Sequence, residues 1–158
     1  MTNSSGDFAW TNDSTSWLPH RDLWTSLYGM ELLRQALQVI VALGLLNVWL
    51  VRAGKQTRFR GGNANSMREE FAAYGLPVAM MYVVGSLKVI ISISLIAGIW
   101  MPILVVPAAS LLILLMVGAF VMHLKVKDSF AKAVPSLLIL GMAIAIASNV
   151  MSAGTARL

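Results

Sequence analysis

The chain has 158 residues, of which 58% are hydrophobic and only 12% are charged, and its formal net charge is +5. This charge density is about half that of an ordinary soluble domain, so the excess apolar surface requires lipid. The length allows one domain and leaves no room for a separate soluble module. The basic residues lie between apolar runs and not among exposed aromatic residues, so we expect no nucleic-acid partner.

The chain contains no cysteine, which excludes thiolate nucleophiles, iron–sulfur clusters and cysteine metal sites. The segment from Met1 to Ser16 is polar and includes Asp7 and Asp13. A cleavable signal would need a basic start and an apolar run there. We therefore expect the first membrane helix to act as the insertion signal.

The sequence predicts an all-α fold, a four-transmembrane-helix bundle with a short N-terminal interfacial helix. In residues 1–30 a polar tail is followed by apolar and aromatic residues at helical spacing, which predict a short amphipathic helix in the membrane interface. Residues 31–158 form the membrane domain. It holds four apolar segments of about 20 residues, the length that crosses a hydrocarbon core. The predicted helices cover about 32–51, 78–99, 103–124 and 133–152.

The stretch from Val89 to Leu124 holds 36 residues without a formal charge when His123 is counted as neutral. One helix of this length would be about 54 Å long, which is more than a bilayer holds. Gly98, Trp100 and Pro102 favour a turn, since glycine ends helices, proline starts them and tryptophan prefers the headgroup level. The alternative is a single long helix that is kinked at Pro102.

The loop between the first two membrane helices has local order of its own. Ser66 followed by Glu69 is a capping-box pattern, which predicts a short helix from Met67 to about Tyr74. The sequence Gly75-Leu76-Pro77 then ends this helix and starts the second membrane helix.

The distribution of lysine and arginine predicts the orientation. The loops after the first and third helices hold eight basic residues, whereas the other side holds only Arg21, Arg34 and Arg157. The positive-inside rule therefore predicts a multi-pass protein of a plasma or inner membrane, with both termini outside and both basic loops in the cytoplasm. The eight basic residues are Arg52, Lys55, Arg58, Arg60, Arg68, Lys125, Lys127 and Lys132.

Lys88 is the most informative residue, because a lysine near the bilayer centre costs at least about 2.5 kcal/mol. Its helical neighbours Gly85 and Ser92 form a narrow stripe that could face another helix. We expect Lys88 to point inward to Gln38 and, through water, to Glu31. This set is a candidate site for an anionic or carbonyl-bearing lipophile, or a proton-coupled position. The alternatives are a structural hydrogen bond and a lysine that snorkels along its helix.

His123 closes the third membrane helix, near Lys125 and near Glu69 and Glu70 of the preceding loop. It could bind a ligand headgroup or shuttle protons. The alternative is an interfacial histidine with a satisfied hydrogen bond.

Four basic loop residues are predicted to contact lipid headgroups. The segment from Arg58 to Asn63 could instead cradle a phosphate. The sequence has no Walker loop, Rossmann fingerprint, zinc motif or Ser-His-Asp order, so no catalytic residue and no metal site is predicted. The predicted headgroup residues are Arg58, Arg60, Lys125 and Lys127.

Short motifs keep their order and spacing from about Asn47 to Val150. They are Phe71 followed by Gly75-Leu76-Pro77, Gly85 with Lys88, Gly98 to Pro102, Pro107-Ala108-Ala109, and Met116, Gly118, Ala119 and His123. In these motifs the chain resembles the DoxX-like family of small four-helix integral membrane proteins. The resemblance implies links of some relatives to sulfur-compound oxidation that feeds membrane quinone, of others to oxidative-stress complexes, and of a distant branch to receptor assembly. Many relatives carry an acidic residue where this chain has Lys88, so a proton or quinone role is not carried over to this position.

Two functions stay open. In the first, the bundle is non-catalytic and either binds a small lipophile or serves as an accessory or assembly subunit of a membrane complex. In the second, it is the membrane subunit of a quinone-linked oxidoreductase. A transporter lacks support because no internal repeat or doubly broken helix is visible. The expected partners are membrane lipids and a larger membrane complex or a homo-oligomer, and the candidate ligands are quinone and lipid.

Overall fold

The computed structural model describes residues 19–155, with the side chains of residue 26 and of residues 28–151. The predicted polar tail of residues 1–16 lies outside the described residues. Five α-helices occur in the described part, together with a π-helical turn at Asn47–Val51 and 3-10 turns at Gly61–Asn63 and Pro102–Leu104. The α-helices are α1 (Pro19–Leu46), α2 (Met67–Ala73), α3 (Val78–Ala97), α4 (Val105–Lys125) and α5 (Phe130–Thr155).

Four segments are long and apolar enough to cross a membrane, and no strand occurs among residues 19–155. The all-α prediction with four membrane helices is therefore confirmed. A chain with four such helices is a multi-pass membrane protein, and lipid is its environment. The segments are Tyr28–Val51, Val78–Ala97, Pro102–Lys125 and Phe130–Met151.

The start of the bundle differs from the prediction of a separate interfacial helix. The structure has one continuous helix from Pro19 to Leu46, which the π-helical turn extends to Val51. No proline follows Pro19 in this stretch, and the one glycine between Pro19 and residue 40, Gly29, costs only about 1 kcal/mol in a helix. Nothing in the sequence therefore breaks the helix between the predicted interfacial segment and the first membrane span.

The turn between α3 and α4 lies where Gly98 and Pro102 predicted it. α3 ends at Ala97, Gly98 follows as its C-cap, and Pro102 opens the 3-10 turn that leads into α4. The alternative of a single long helix kinked at Pro102 is therefore wrong. The capping box is confirmed as well, since the Ser66 hydroxyl accepts a hydrogen bond from the Glu69 backbone N–H at the start of α2 (3.2 Å).

The core lies between the four long helices, where α1 packs against α3 and α5, and α4 packs against α3 and α5. Alanines on several helices let the backbones approach closely, as is usual where lipid competes for apolar contacts. Larger side chains fill the remaining space. The buried core consists of Val41, Ala42, Leu45, Ile91, Leu95, Val105, Ala108, Ala109, Leu112, Met116, Ala143 and Ile146.

Gly98 is required where three helices meet. A Cβ atom added there would lie 2.6 Å from Val105 Cγ2 and 3.2 Å from Gln38 Nε2. We expect Gly98→Ala to lower the free energy of unfolding by about 1–3 kcal/mol through overpacking. Gly118→Ala is the matched control, because no atom lies within 4 Å of the added Cβ. Thermal unfolding in detergent measures both, and equal melting temperatures for the two variants would contradict this packing.

Both basic loops lie at one end of the bundle. Asp128, between α4 and α5, accepts hydrogen bonds from the backbone N–H of Gly62 (3.1 Å) and from Lys132 Nζ (3.2 Å), and the same Nζ donates to Asn63 (2.7 Å). At the opposite end the Asn149 amide donates to the backbone oxygen of Met30 (3.4 Å). We call the end formed by residues 52–77 and 126–129 the basic end.

Candidate functional site

A cavity of about 770 Å³ opens at the basic end, between the long helices and the loop that carries α2. Its walls are mostly apolar and aromatic, and a few charged groups reach into it. This volume and composition are typical of sites that bind small molecules. The apolar part of the wall includes Leu45, Trp49, Phe71, Val84, Met116, Ala119 and Ile139, and the polar part includes Arg58, Glu70, Tyr74, Lys88, His123 and Lys132.

Lys88 supplies a positive charge that forms no ion pair with a described residue, and the Glu70 carboxylate, which lines the same cavity, acts on it only at longer range. It lies ten residues after the start of α3, or about 15 Å along the helix axis. Its Nζ stands 5.0 Å from the centroid of the Trp49 ring, and it makes no hydrogen bond or ion pair with any described residue. Every fully buried side-chain nitrogen or oxygen of the described residues has a hydrogen-bond partner. The Lys88 ammonium group is therefore not fully enclosed by described residues, and Lys88 lines the cavity.

The predicted contact between Lys88 and Gln38 is not formed. The Gln38 side chain is fully buried, accepts a hydrogen bond from Arg34 (3.2 Å) and donates one to the Leu95 backbone oxygen (3.3 Å). Arg34, one turn earlier on α1, also pairs with Glu31. Because Gln38 and Glu31 already have Arg34 as partner, the Lys88 side chain turns toward Trp49 instead.

Ser92 also stays out of the cavity, since its hydroxyl donates to the Lys88 backbone oxygen (2.7 Å) within α3. Of the five residues predicted as a ligand site, only Lys88 and His123 line the cavity. The structure places the other three, Glu31, Gln38 and Ser92, in contacts within and between helices.

His123 has one ring nitrogen engaged and one open. Its Nδ1 lies 2.9 Å from Asp128 Oδ2 and 3.4 Å from the Tyr74 hydroxyl. No described residue forms a hydrogen bond with Nε2, so this nitrogen faces the cavity. If Nδ1 carries the proton and donates it to Asp128, the neutral ring presents Nε2 as an acceptor.

Asp128 holds this arrangement in place. Its side chain is 4% exposed. Burial raises the pKa of Asp128, but hydrogen bonds from His123, from the Gly62 backbone N–H and from Lys132 outweigh it, so the pKa lies below its ordinary value. The carboxylate therefore stays ionised at neutral pH and fixes the orientation of the imidazole ring.

Tyr74 connects the histidine to a second buried carboxylate. The Tyr74 hydroxyl donates to Glu70 Oε1 (3.0 Å), which also accepts from the Gly61 backbone N–H (2.9 Å). Burial and the nearby Glu70 carboxylate raise the pKa of Tyr74, so the phenol stays protonated. The loop and α4 are thus joined by one row of polar contacts, Glu70–Tyr74–His123–Asp128.

Arg60 does not lie at the membrane surface as predicted. It is 5% exposed, and its guanidinium donates to the backbone oxygens of Arg52 (2.7 Å), Ala53 (3.0 Å) and Lys55 (2.9 Å) and to Glu70 (3.1 Å). A guanidinium presents five donors in a planar fork, and the folded loop supplies enough acceptors for it. Arg60 therefore organises the loop and is not available to a headgroup.

The other three predicted headgroup residues lie on the surface of the basic end. Arg58 stacks over Phe59 (4.7 Å to the ring centroid), and both line the cavity mouth. Lys125 donates to the Tyr74 backbone oxygen (2.8 Å), and Lys127 lies in the turn after α4 with a positive φ of 54°. Contact of Arg58, Lys125 and Lys127 with lipid headgroups stays a prediction.

We expect the contribution of Asp128 to depend on pH. Since the pKa of Asp128 is lowered on folding, its stabilisation is complete above the ordinary value of 3.8 and is lost as the pH falls below it. Asp128→Asn should therefore be less stable than the wild type at pH 7, and the difference should shrink as the pH is lowered toward about 3. Melting temperatures over this range measure it, and a difference that grows in acid would contradict the assignment.

Four helices that are long and apolar enough to span a bilayer define a small multi-pass membrane protein. The family model of the DoxX-like family matches residues 41–148, about two thirds of the chain, and the chain belongs to this family. Comparisons with curated proteins and with solved structures gave no match.

Proposed function

We propose that this protein binds a small lipophile with an anionic or carbonyl head in the basic-end cavity, without changing it chemically, and serves as a lipophile-binding protein or as an accessory or assembly subunit of a membrane complex. The observation that supports this proposal most directly is Lys88, which lines a mostly apolar cavity and forms no ion pair with a described residue.

The energetics favour a ligand at this position. A lysine within a membrane span costs at least about 2.5 kcal/mol. The contact with the Trp49 ring offsets about 0.5–2 kcal/mol of this free-energy cost. An anionic or carbonyl oxygen beside Nζ would supply the missing partner, and the apolar walls would take the rest of the molecule.

Native mass spectrometry of the protein, extracted gently from its own membrane, tests this proposal. We expect one amphiphile per chain to remain bound, with a single acidic or carbonyl head. Repeated isolation of the bare chain, with neither a bound lipophile nor a partner protein, would contradict the proposal.

For the orientation, we propose that both termini lie outside and that the basic end lies in the cytoplasm of a plasma or inner membrane. The eight basic loop residues support this through the positive-inside rule, and both loops lie at the same end. Because the chain has no cysteine, a single introduced cysteine is the one thiol that a reagent can label. Its labelling shows on which side of the membrane that residue lies. We expect Lys55→Cys and Lys127→Cys to react with an impermeant maleimide only after the membrane is opened. Labelling of either in sealed, right-side-out vesicles would contradict this orientation.

A second candidate is a membrane subunit of a quinone-linked oxidoreductase. His123 Nε2 supports it, because it faces the same cavity as Lys88 and the two could bind the carbonyl oxygens of a quinone ring. The quinone would carry the electrons, and these residues would only hold and orient it. Quinone reduction in membranes with and without the protein tests this candidate, and equal rates would remove it.

A further inference from the structure

A second hollow lies on the outer surface of the bundle, between the π-helical turn at Asn47–Val51 and α3. Its volume is about 390 Å³, and its lining is almost wholly apolar. Leu50, Tyr82 and Ile90 in its lining are each more than half exposed and belong to membrane-spanning segments, so this hollow faces the acyl chains of the bilayer. We call it the lateral groove.

Two side chains, Trp49 and Met67, line both the lateral groove and the basic-end cavity. These two side chains form a wall between the basic-end cavity and the lateral groove. Trp49 is the larger side chain of this wall, and the Lys88 Nζ lies 5.0 Å from the centroid of its ring.

The backbone around Trp49 is arranged to make room for this side chain. The ring rests directly on Gly85, where an added Cβ would lie 2.6 Å from Trp49 Cε3. Trp49 also sits in the middle of the π-helical turn, in which the Arg52 backbone N–H bonds to the Asn47 oxygen (3.0 Å). Such turns are uncommon and concentrate at functional sites.

We propose that the ligand is a single-chain amphiphile that enters from the bilayer, with its head at Lys88 and its hydrocarbon chain passing Trp49 into the lateral groove. This inference rests on the proposed function and adds the class of ligand and its route.

The positions along α3 support this placement. Lys88 and Gly85 are three residues apart and so lie on one face, while the neighbouring Ser86 and Val89 line only the groove. A chain attached to a head at Lys88 therefore has to pass only the Trp49 ring, which rests on Gly85 within one helical turn, to reach the groove. The other end of the cavity is lined by charged groups such as Arg58 and Lys132, where an apolar chain would be unfavourable.

Photocrosslinking tests this inference. The probe is a palmitic acid with a diazirine near the end of its chain, added to the full chain in lipid nanodiscs, with excess unmodified palmitic acid as competitor. Labelled peptides are mapped by mass spectrometry. We expect the competable label on residues that line only the groove, chiefly Met81, Ser86 and Val89. Competable label confined to interior residues such as Met116 and Ala119 would overturn the inference and leave the proposed function standing.

Two variants of α3 sharpen the test. Ser86→Trp fills the groove from the lipid side, and we expect it to reduce the competable groove label by about tenfold, which corresponds to losing the burial of about two methylene groups. Val83→Trp adds the same side chain at an exposed position of α3 outside the groove and should leave the label unchanged. Equal labelling of both variants would overturn the inference. Absence of any competable label in the wild type would overturn the proposed function as well.

Discussion

Lys88→Met is expected to weaken the binding of an anionic amphiphile by about 10- to 100-fold, while the protein still inserts and folds. The reason is that a hydrogen bond to a charged group in a water-poor site contributes about 1.5–3 kcal/mol, and methionine keeps the apolar stem of the lysine but not its charge. Lys88 makes no ion pair with any described residue, so its removal leaves no other charge unpaired. Isothermal titration with palmitate in detergent measures the effect.

Two variants serve as controls for this prediction. Lys55→Met removes an exposed basic residue of the loop and should change the affinity little. Lys88→Arg keeps the charge and should retain part of the binding. If Lys88→Met bound palmitate as tightly as the wild type, Lys88 would be a snorkelling lysine and the proposed site would be wrong.

Glu70→Ala is expected to lower the free energy of unfolding by about 3 kcal/mol, a large effect for a single substitution in a loop. Glu70 accepts hydrogen bonds from Arg60 (3.1 Å), from the Gly61 backbone N–H (2.9 Å) and from Tyr74 (3.0 Å). Removing one partner of a buried ion pair leaves the other charge, here the Arg60 guanidinium, without compensation. Thermal or denaturant unfolding in detergent measures the loss.

The neighbouring glutamate provides the matched control. Glu69 is exposed and accepts a hydrogen bond from the Asn65 backbone N–H (2.8 Å), which lowers the pKa of Glu69. Glu69→Ala removes part of the helix cap of α2 and should cost much less than Glu70→Ala. Equal losses for the two variants would show that the buried Arg60–Glu70 pair does not hold the loop.

The fold was largely predictable because the sequence patterns that specify it are either short motifs or apolar runs whose length is set by the bilayer. Apolar runs of bilayer length, the turn at Gly98 and Pro102 and the capping box at Ser66 each depend on a few adjacent residues. The predicted interfacial segment continues into the first membrane span from Pro19 on, because amphipathic spacing near a membrane helix does not show where one helix ends and the next begins. Only a breaking residue would show this, and none follows Pro19 in α1. The position of this segment in the membrane interface stays a prediction.

The site was less predictable because its contacts join residues that are far apart in the chain. Lys88 and His123 were found from their residue types alone, since a charge and an imidazole are rare in apolar runs. Their surroundings were not found. The contact of Asp128 with His123 depends on the turn after α4, where Lys127 has a positive φ.

Trp49 and Arg60 illustrate the same limit. A tryptophan near the end of a membrane helix is usually an interfacial anchor, and only the close approach of Gly85 shows that it forms a wall of the cavity. An arginine in a basic loop is usually solvated. Arg60 is buried because the loop folds back through left-handed conformations at Gly62 (φ 61°) and Asn63 (φ 57°), which no short motif predicted.

The fluorescence of Trp49 tests most directly the proposal that the basic-end cavity holds an anionic lipophile between Lys88 and Trp49. In a variant with Trp10, Trp17, Trp24 and Trp100 replaced by Phe, Trp49 is the remaining tryptophan. Dibromostearate should quench it saturably, at one molecule per chain, and the corresponding brominated alcohol should quench it far less. Quenching that rises without saturation, and equally for acid and alcohol, would contradict the claim.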